Sequence, residues 1–155
     1  NLAITLLCEL PEAYAIATDI SSDALKVTMR NAESHKVTER VDLKECDWFE
    51  NISSKFDLIV SNPPYIGEDE IDKLEKDVKN FDPMIALSPG KDGLNSYRQI
   101  GRDGFDHLEV GGRLILEIGS LQGSELTQIL KSCGFNQIET HKDLDGHDRV
   151  VSCIR

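Results

Sequence analysis

Short hydrophobic runs alternate along the chain with longer segments in which apolar residues recur at helical spacing. The short runs predict β-strands, and the longer segments predict amphipathic helices. The predicted strands are Tyr14–Ile20, Val41–Phe49, Phe56–Asn62, Gly111–Gly119, Gln137–Asp143 and Arg149–Ile154. The predicted helices are 21–36, with Ser21 or Ser22 as N-cap, then 94–108, and 124–135, which ends at Gly134. This order predicts an α/β fold in which a mostly parallel sheet carries helices on both faces.

The last two predicted strands are separated only by the short segment Leu144–Asp148. A connection of that length predicts an antiparallel hairpin at the edge of the sheet. With 155 residues and no visible interdomain linker, residues 1–155 are predicted to form a single domain. No apolar run approaches the roughly 18 residues that a membrane-spanning helix needs.

The chain carries 28 acidic and 17 basic side chains, which gives a formal net charge of −11 and a pI of about 4.7. Such a surface repels phosphate backbones and argues against direct binding of nucleic acid. No CxxC pair and no metal-ligand spacing occurs among the cysteines and histidines, which are Cys8, Cys46, Cys133, Cys153, His35, His107, His141 and His147. We therefore expect reduced and mostly buried thiols in a cytoplasmic protein, and no metal site.

Acidic and aromatic residues follow the first two predicted strands, at the sheet edge where ligands of α/β proteins bind. Asp19 ends the first strand, where a carboxylate either accepts hydrogen bonds from ribose hydroxyls or supports the helix that follows. Asp47 and Trp48 lie at the end of the second strand segment. An indole stacks on adenine and a carboxylate accepts from the exocyclic amine, although a core tryptophan is an equal alternative.

The third strand runs straight into Asn62-Pro63-Pro64-Tyr65. Two adjacent prolines remove two backbone donors and force a stiff, extended path. The segment is therefore either a turn that closes the strand or a rigid frame that presents Asn62 and Tyr65 to a ligand.

Several segments together resemble one family, the protein-(glutamine-N5) methyltransferases. In chain order they are ATDIS, CDWFE, FDLIVSNPPYI, FDPMIALSPGKDGLNSYRQI, GGRLILEIG and HDRVV, and the resemblance covers essentially all of the 155 residues. NPPY alone is similar to tetrapeptides of adenine-N6 DNA methylases and guanine-N2 RNA methylases. NPPYI followed by FDPMIAL and KDGLNSYRQI is much more specific.

The resemblance implies a Rossmann-like sheet of the class I S-adenosylmethionine-dependent methyltransferases and a peptide chain release factor as substrate. It assigns Asp19 to the cofactor ribose, Ile20 to the cofactor without a specified part, and Asp47 with Trp48 to adenine. It assigns the segment from Asn62 to Tyr65 to the substrate glutamine, with Asn62 also near the cofactor.

Two further positions match the family without a definite role. Phe81-Asp82-Pro83 is similar to a family segment on the substrate side. Arg149 also matches, and a structural salt bridge is its favoured role.

The resemblance gives the proline pair a chemical purpose. An amide nitrogen is a poor nucleophile because its lone pair is delocalised into the carbonyl. The Asn62 side-chain oxygen and a carbonyl of Pro63 or Pro64 would accept its two N–H bonds, while Tyr65 packs against the flat face. Methyl transfer to an amide so held needs mainly positioning and electrostatics.

One feature departs from the family pattern. Class I methyltransferases hold the methionine part of the cofactor with a Gly-rich loop about twenty residues before the ribose acid, and counting back from Asp19 reaches Asn1. We therefore expect a fragment that lacks this loop, the first strand and an N-terminal helical domain, and that binds S-adenosylmethionine weakly on its own. The alternatives to a glutamine methyltransferase are an amino-methyltransferase of DNA or RNA and an inactive fragment that at most binds partners.

Overall fold

The structure is a computed structural model and describes residues 1–66 and 92–155. These residues form two compact units, Asn1–Ser53 and Ser54–Arg155. The single domain expected over residues 1–155 stays a prediction. No helix within the described ranges is long and apolar enough to cross a membrane.

The first unit is a two-stranded parallel sheet with helices. Its elements are α1 (Leu2–Glu9), β1 (Ala15–Asp19), α2 (Ser22–Ser34), a 3-10 turn (Thr38–Arg40) and β2 (Val41–Glu45). The two strands pair in register from Ala15 opposite Val41 to Asp19 opposite Glu45. The core of this unit contains Ile4, Leu7, Ala32 and Val37, because positions three apart on α1 face the same side.

Arg40 ties the end of α1 to the segment that enters β2. Its guanidinium donates to the carbonyl oxygens of Leu7 at 2.7 Å, Leu10 at 3.1 Å and Ala13 at 3.0 Å. The last carbonyls of a helix have no partner within the helix, so a cation there satisfies groups that would otherwise depend on water.

The second unit is a mixed four-stranded sheet with two helices. Its elements are β3 (Phe56–Ser61), α3 (Asn95–His107), β4 (Leu108–Glu117), α4 (Gly123–Ser132), β5 (Asn136–Lys142) and β6 (Asp148–Ile154). The strand order is β3-β4-β6-β5, with β3 and β4 parallel and the other two pairings antiparallel. This confirms the predicted α/β fold and its C-terminal hairpin. Within the described residues β1 pairs with β2 alone and β3 with β4 alone.

Strand β4 starts earlier than predicted. It begins at Leu108, opposite Phe56, and residues 109–112 then bulge from the ladder. Gly111 adopts φ +84°, and a Cβ on Gly112 would lie 3.0 Å from the carbonyl oxygen of Phe56. The glycine pair therefore forms a bulge inside the strand rather than a turn before it.

The expectation of mostly buried thiols is wrong. All four cysteines are free thiols, but only Cys153 is buried. Cys8 is exposed because it follows Leu7 on α1 and points away from the core that Leu7 enters. Burial raises the pKa of the Cys153 thiol to about 12.

Candidate functional site

In the first unit, the ends of β1 and β2 carry the residues assigned to adenosine. The backbone N–H of Cys46 donates to the carbonyl oxygen of Asp19 at 3.2 Å, one residue beyond the last paired position of β2. Because the carboxyl ends of parallel strands lie at the same edge of a sheet, Asp19 and the Asp47-Trp48 pair lie next to each other at that edge.

Asp19 shows one of the two roles that its sequence context left open, the support of the following helix, while the ribose role stays a prediction. Its Oδ1 accepts a hydrogen bond of 2.8 Å from the backbone N–H of Ser21, and the Ser21 hydroxyl in turn caps α2 by accepting from Ala24 at 3.3 Å. Asp19 therefore supports the capping residue without being the cap. The Asp19 side chain is exposed, and its Oδ2 makes no hydrogen bond within the described residues.

Trp48 lies in a tight turn and not in the strand predicted to run to Phe49. Its φ is +50°, and the turn is closed by the N–H of Glu50 donating to the carbonyl of Asp47 at 3.0 Å. Trp48 is half-buried and is not among the fully buried hydrophobic residues of the described chain, and its assignment to adenine stays a prediction. A left-handed backbone is costly for a bulky residue and often marks a functional position.

The surroundings of this turn are acidic. Burial raises the pKa of the Cys46 thiol, and the carboxylates of Glu50 and Asp47 raise it further. Asp47 and Ile20 are both exposed, so the edge presents carboxylates together with apolar surface.

In the second unit, the segment from Asn62 to Tyr65 begins where β3 ends. Ser61 is the last paired residue of β3, opposite Leu116. Asn62 is exposed, and its side chain makes no hydrogen bond to any described residue. Pro63 is buried, whereas Pro64 and Tyr65 are half-buried. The buried Pro63 thus anchors the segment, while the Asn62 amide is exposed and unpaired among the described residues.

Gln122 holds the far end of this segment. Its Nε2 donates to the carbonyl oxygen of Tyr65 at 2.9 Å and to that of Gly93 at 3.4 Å. Its Oε1 accepts from the N–H of Gly119 at 3.0 Å and from the hydroxyl of Tyr97 at 3.4 Å. The sequence reasoning missed Gln122, although it lies just beyond β4, where the strand-end rule directs attention.

Tyr97 supports Gln122 from within the core. Its ring is fully buried, and its single hydroxyl hydrogen is shared between the carbonyl of Glu117 at 3.0 Å and Oε1 of Gln122 at 3.4 Å. Burial raises the pKa of Tyr97, and the carboxylate of Glu117 raises it further. The Tyr97 hydroxyl therefore stays protonated and acts as a donor.

Arg149 organises the hairpin beside the same loop. Its Nε and Nη2 each lie 3.3 Å from Oδ2 of Asp143, and its Nη1 lies 3.5 Å from the carbonyl of Ile118. Oδ1 of Asp143 accepts from the N–H groups of Asp145 and His147, both at 3.0 Å. The structural salt bridge expected for Arg149 is confirmed.

The site assignments themselves stay predictions. The structure brings Asp19 and the Asp47-Trp48 pair to one edge of the first unit, and it places the Asn62–Tyr65 segment in the second. Phe81-Asp82-Pro83 lies outside the described residues.

Comparison with known families agrees with this geometry. Residues 1–77 match the model of the methyltransferase small domain. The chain is 46% identical over 151 residues to a release factor glutamine methyltransferase of Cereibacter sphaeroides, covering 97% of this chain and 54% of that protein. It is also 46% identical over 151 residues to a bifunctional methyltransferase of Rickettsia felis, again covering 97% of this chain but 29% of that protein. The chain thus spans about half, or less, of the length of these relatives.

Solved structures agree on the fold. A methyltransferase from Pyrococcus furiosus superposes with a TM-score of 0.72 at 16% identity, covering 99% of this chain and 68% of that one. An RNA methyltransferase from Salinibacter ruber, in complex with S-adenosyl-L-homocysteine, gives a TM-score of 0.59 at 15% identity, covering 99% of this chain and 72% of that one.

The α/β sheet and its structural neighbours define the class of the protein, a class I methyltransferase fold. Within that class the sequence matches are decisive, because structural neighbours at such low identity show the fold alone. The chain belongs to the family of release factor glutamine methyltransferases.

Proposed function

We propose that the protein containing this chain transfers a methyl group to the side-chain amide nitrogen of a glutamine, in the Gly-Gly-Gln loop of a peptide chain release factor. The observation that carries the proposal is the Asn62–Tyr65 segment. It follows a paired strand, exposes an Asn62 side chain that makes no hydrogen bond to a described residue, and is held at its far end by Gln122. Family membership supports the choice of substrate. A release factor substrate implies a cytoplasmic site of action.

The chemistry of the segment suits an amide. A primary amide has two N–H donors, and these need two fixed acceptors. The Asn62 side-chain oxygen is one acceptor, and a carbonyl of the proline pair is the other. With both hydrogens accepted, electron density moves toward the nitrogen and its orientation is fixed, which lowers the barrier by positioning and electrostatics.

Tyr65 contributes a flat surface next to that position. Its carbonyl is fixed by Gln122, and its ring approaches Gly119, where an added Cβ would lie 3.4 Å from Cδ2 of Tyr65. We assign Tyr65 the role of packing against the plane of the substrate amide.

The first unit offers groups that fit the adenosine part of S-adenosylmethionine. The free Oδ2 of Asp19 is an acceptor for ribose hydroxyls, and the exposed Asp47 is an acceptor for an exocyclic amine. Ile20 is 54% exposed and provides an apolar surface, while Trp48 provides an indole. When bound, this cofactor supplies an electrophilic methyl group.

Methylation of nucleic acid is the second candidate and has less support. A structural neighbour named as an RNA methyltransferase is only 15% identical to this chain. The net charge of −11 opposes binding to a phosphate backbone.

The test uses the full-length protein, a release factor, and S-adenosylmethionine with a labelled methyl group. We expect mass spectrometry of the Gly-Gly-Gln peptide to show a single added methyl group on glutamine. The release factor with that glutamine replaced by glutamate is the matched control and should stay unmodified. Methyl transfer to DNA or RNA, with the peptide unchanged, would show that the assignment is wrong.

A further inference from the structure

Gln122 uses every hydrogen-bonding position of its side-chain amide. A primary amide has two N–H donors and an oxygen with two lone pairs. The two N–H groups of Gln122 donate to the carbonyls of Tyr65 and Gly93. Its Oε1 accepts from the N–H of Gly119 and from the hydroxyl of Tyr97. No other natural side chain offers this arrangement of donors and acceptors at that length.

These bonds close a support around the Asn62–Tyr65 segment. At its start, the segment leaves β3 at Ser61, which pairs with Leu116 of β4. At its end, the Tyr65 carbonyl is bound by Gln122, which lies in the loop that follows β4. Strand β4 and the loop that follows it therefore hold both ends of the Asn62–Tyr65 segment. The ring of each proline fixes φ between them, so few backbone rotations remain free.

The neighbouring backbone is packed closely around Gln122. A Cβ on Gly93 would lie 2.9 Å from Nε2 of Gln122 and would collide with the Tyr65 carbonyl. A Cβ on Gly119 would lie 2.9 Å from Oε1 of Gln122. Both contacts are too short for a real Cβ atom, so the two glycines leave the space that the amide occupies.

We propose that Gln122 is a positioning residue for the methyl transfer, which orients the carbonyls of the Pro63–Tyr65 segment by fixing the Tyr65 peptide plane. The inference rests on the function proposed above. We call the Asn62–Tyr65 segment, with its acceptors for the substrate amide, the clamp. Gln122 acts through this clamp and does not itself touch the substrate. Losing it leaves the Tyr65 carbonyl without its donor and lets the peptide planes of the segment rotate, so the acceptor for the substrate amide loses its direction.

The sharpest variant is Gln122→Glu in the full-length protein. It keeps an oxygen for the Gly119 N–H and the Tyr97 hydroxyl, but it turns the donor facing Tyr65 into an acceptor. We expect kcat to fall about 10- to 100-fold, because a small misplacement of a reacting group has a cost of that order. We expect KM for the release factor to change by no more than about twofold, because Gln122 acts on the reacting geometry and does not itself touch the substrate.

The pH dependence of variant activity distinguishes a positioning role of Gln122 from a purely structural one. A protonated carboxyl can donate one O–H to the Tyr65 carbonyl, so the ratio of Gln122→Glu to wild-type activity should rise as pH falls. Gln122→Met has no group to protonate, and its ratio should stay flat. Gln128→Glu is the matched control on α4, since Gln128 is exposed and makes no hydrogen bond to a described residue.

The outcomes are distinct. Folded Gln122→Glu and Gln122→Met proteins with kcat within about twofold of wild type would overturn the inference, and so would a loss confined to KM. If neither variant folds by circular dichroism, Gln122 is a structural residue and the inference is wrong. A wild-type protein that leaves glutamine unmodified overturns the proposed function, and the role of Gln122 falls with it.

Discussion

The backbone N–H of Cys46 donates to the carbonyl oxygen of Asp19 across 3.2 Å. This bond extends the pairing from Asp19, the last residue of β1, to one residue beyond the end of β2. The carboxylate of Asp19 and the turn that carries Trp48 are thus held together by main chain, independently of their own side chains. Substitutions of those side chains should therefore change ligand binding without disrupting the pairing of β1 with β2.

Asp19→Asn should weaken binding of S-adenosylmethionine to the full-length protein. The amide keeps an oxygen for the N–H of Ser21 but replaces the free carboxylate oxygen with a donor. A hydrogen bond to a charged group contributes about 1.5–3 kcal/mol, so the dissociation constant should rise about 10- to 100-fold. Isothermal titration is the measurement. Asp42→Asn, an exposed acid on β2, is the control, and equal affinity of both variants would contradict the ribose role.

Asn62→Ala should lower kcat for glutamine methylation by about 10²–10³, by analogy with loss of one preorganised partner of a reacting group. The fold should be unaffected, because Asn62 is exposed at the end of β3. Single-turnover kinetics with the release factor measures the effect, and Asn136→Ala on β5 is the control. A rate for Asn62→Ala close to that of the control would mean that the clamp does not operate.

The Asp143–Arg149 pair should make the second unit sensitive to acid. The N–H of His147, and then the guanidinium of Arg149, lower the pKa of Asp143. A carboxyl whose pKa is lower in the folded state contributes stability that is fully present above its unfolded pKa of about 3.9 and is lost as pH falls through the folded value. The difference in free energy of unfolding between wild type and Asp143→Asn should thus be constant near neutral pH.

Below about pH 4 that difference should shrink. Urea unfolding at a series of pH values measures it, and the comparison with Asp143→Asn cancels the contribution of other carboxyls. A difference that persists unchanged into acid would show that Asp143 is not the responsible group.

The thiols should differ strongly in reactivity. The reactive form of cysteine is the thiolate, and burial raises the pKa of Cys153 to about 12. Cys8 is exposed. We expect iodoacetamide to label Cys8 in the native protein well before Cys153, as followed by peptide mass spectrometry. In denaturant the two should react equally, and early labelling of Cys153 without denaturant would contradict its burial.

Local pattern predicted most of the fold. The strands were found because apolar runs such as Phe56–Ser61 are too short for a typical helix and are bounded by turn residues. The errors occurred where backbone geometry overrides the apolar pattern. The turn at Trp48 shortens β2, and the bulge at Gly111 lies within β4, and both use positive φ.

The candidate site was only partly predictable. Asn62 and Tyr65 directly follow a strand, so their location at the strand end can be predicted from the residues next to them. The role of Gln122 cannot, because it depends on Tyr65, 57 residues away, and on Tyr97, 25 residues away. The role of a polar residue in a loop can be assigned only once the fold shows which distant groups it contacts.

The four hydrogen bonds of Gln122 also impose a constraint on evolution. Because a Cβ on Gly119 would lie 2.9 Å from Oε1 of Gln122, positions 119 and 122 cannot vary independently. A homologue that replaces Gln122 with a smaller side chain frees room for a Cβ at position 119. Gly93 is needed whatever residue stands at position 122, because its φ is +69° and an added Cβ would collide with the Tyr65 carbonyl. Sequence variation at positions 119 and 122 should therefore be correlated, while position 93 should stay glycine.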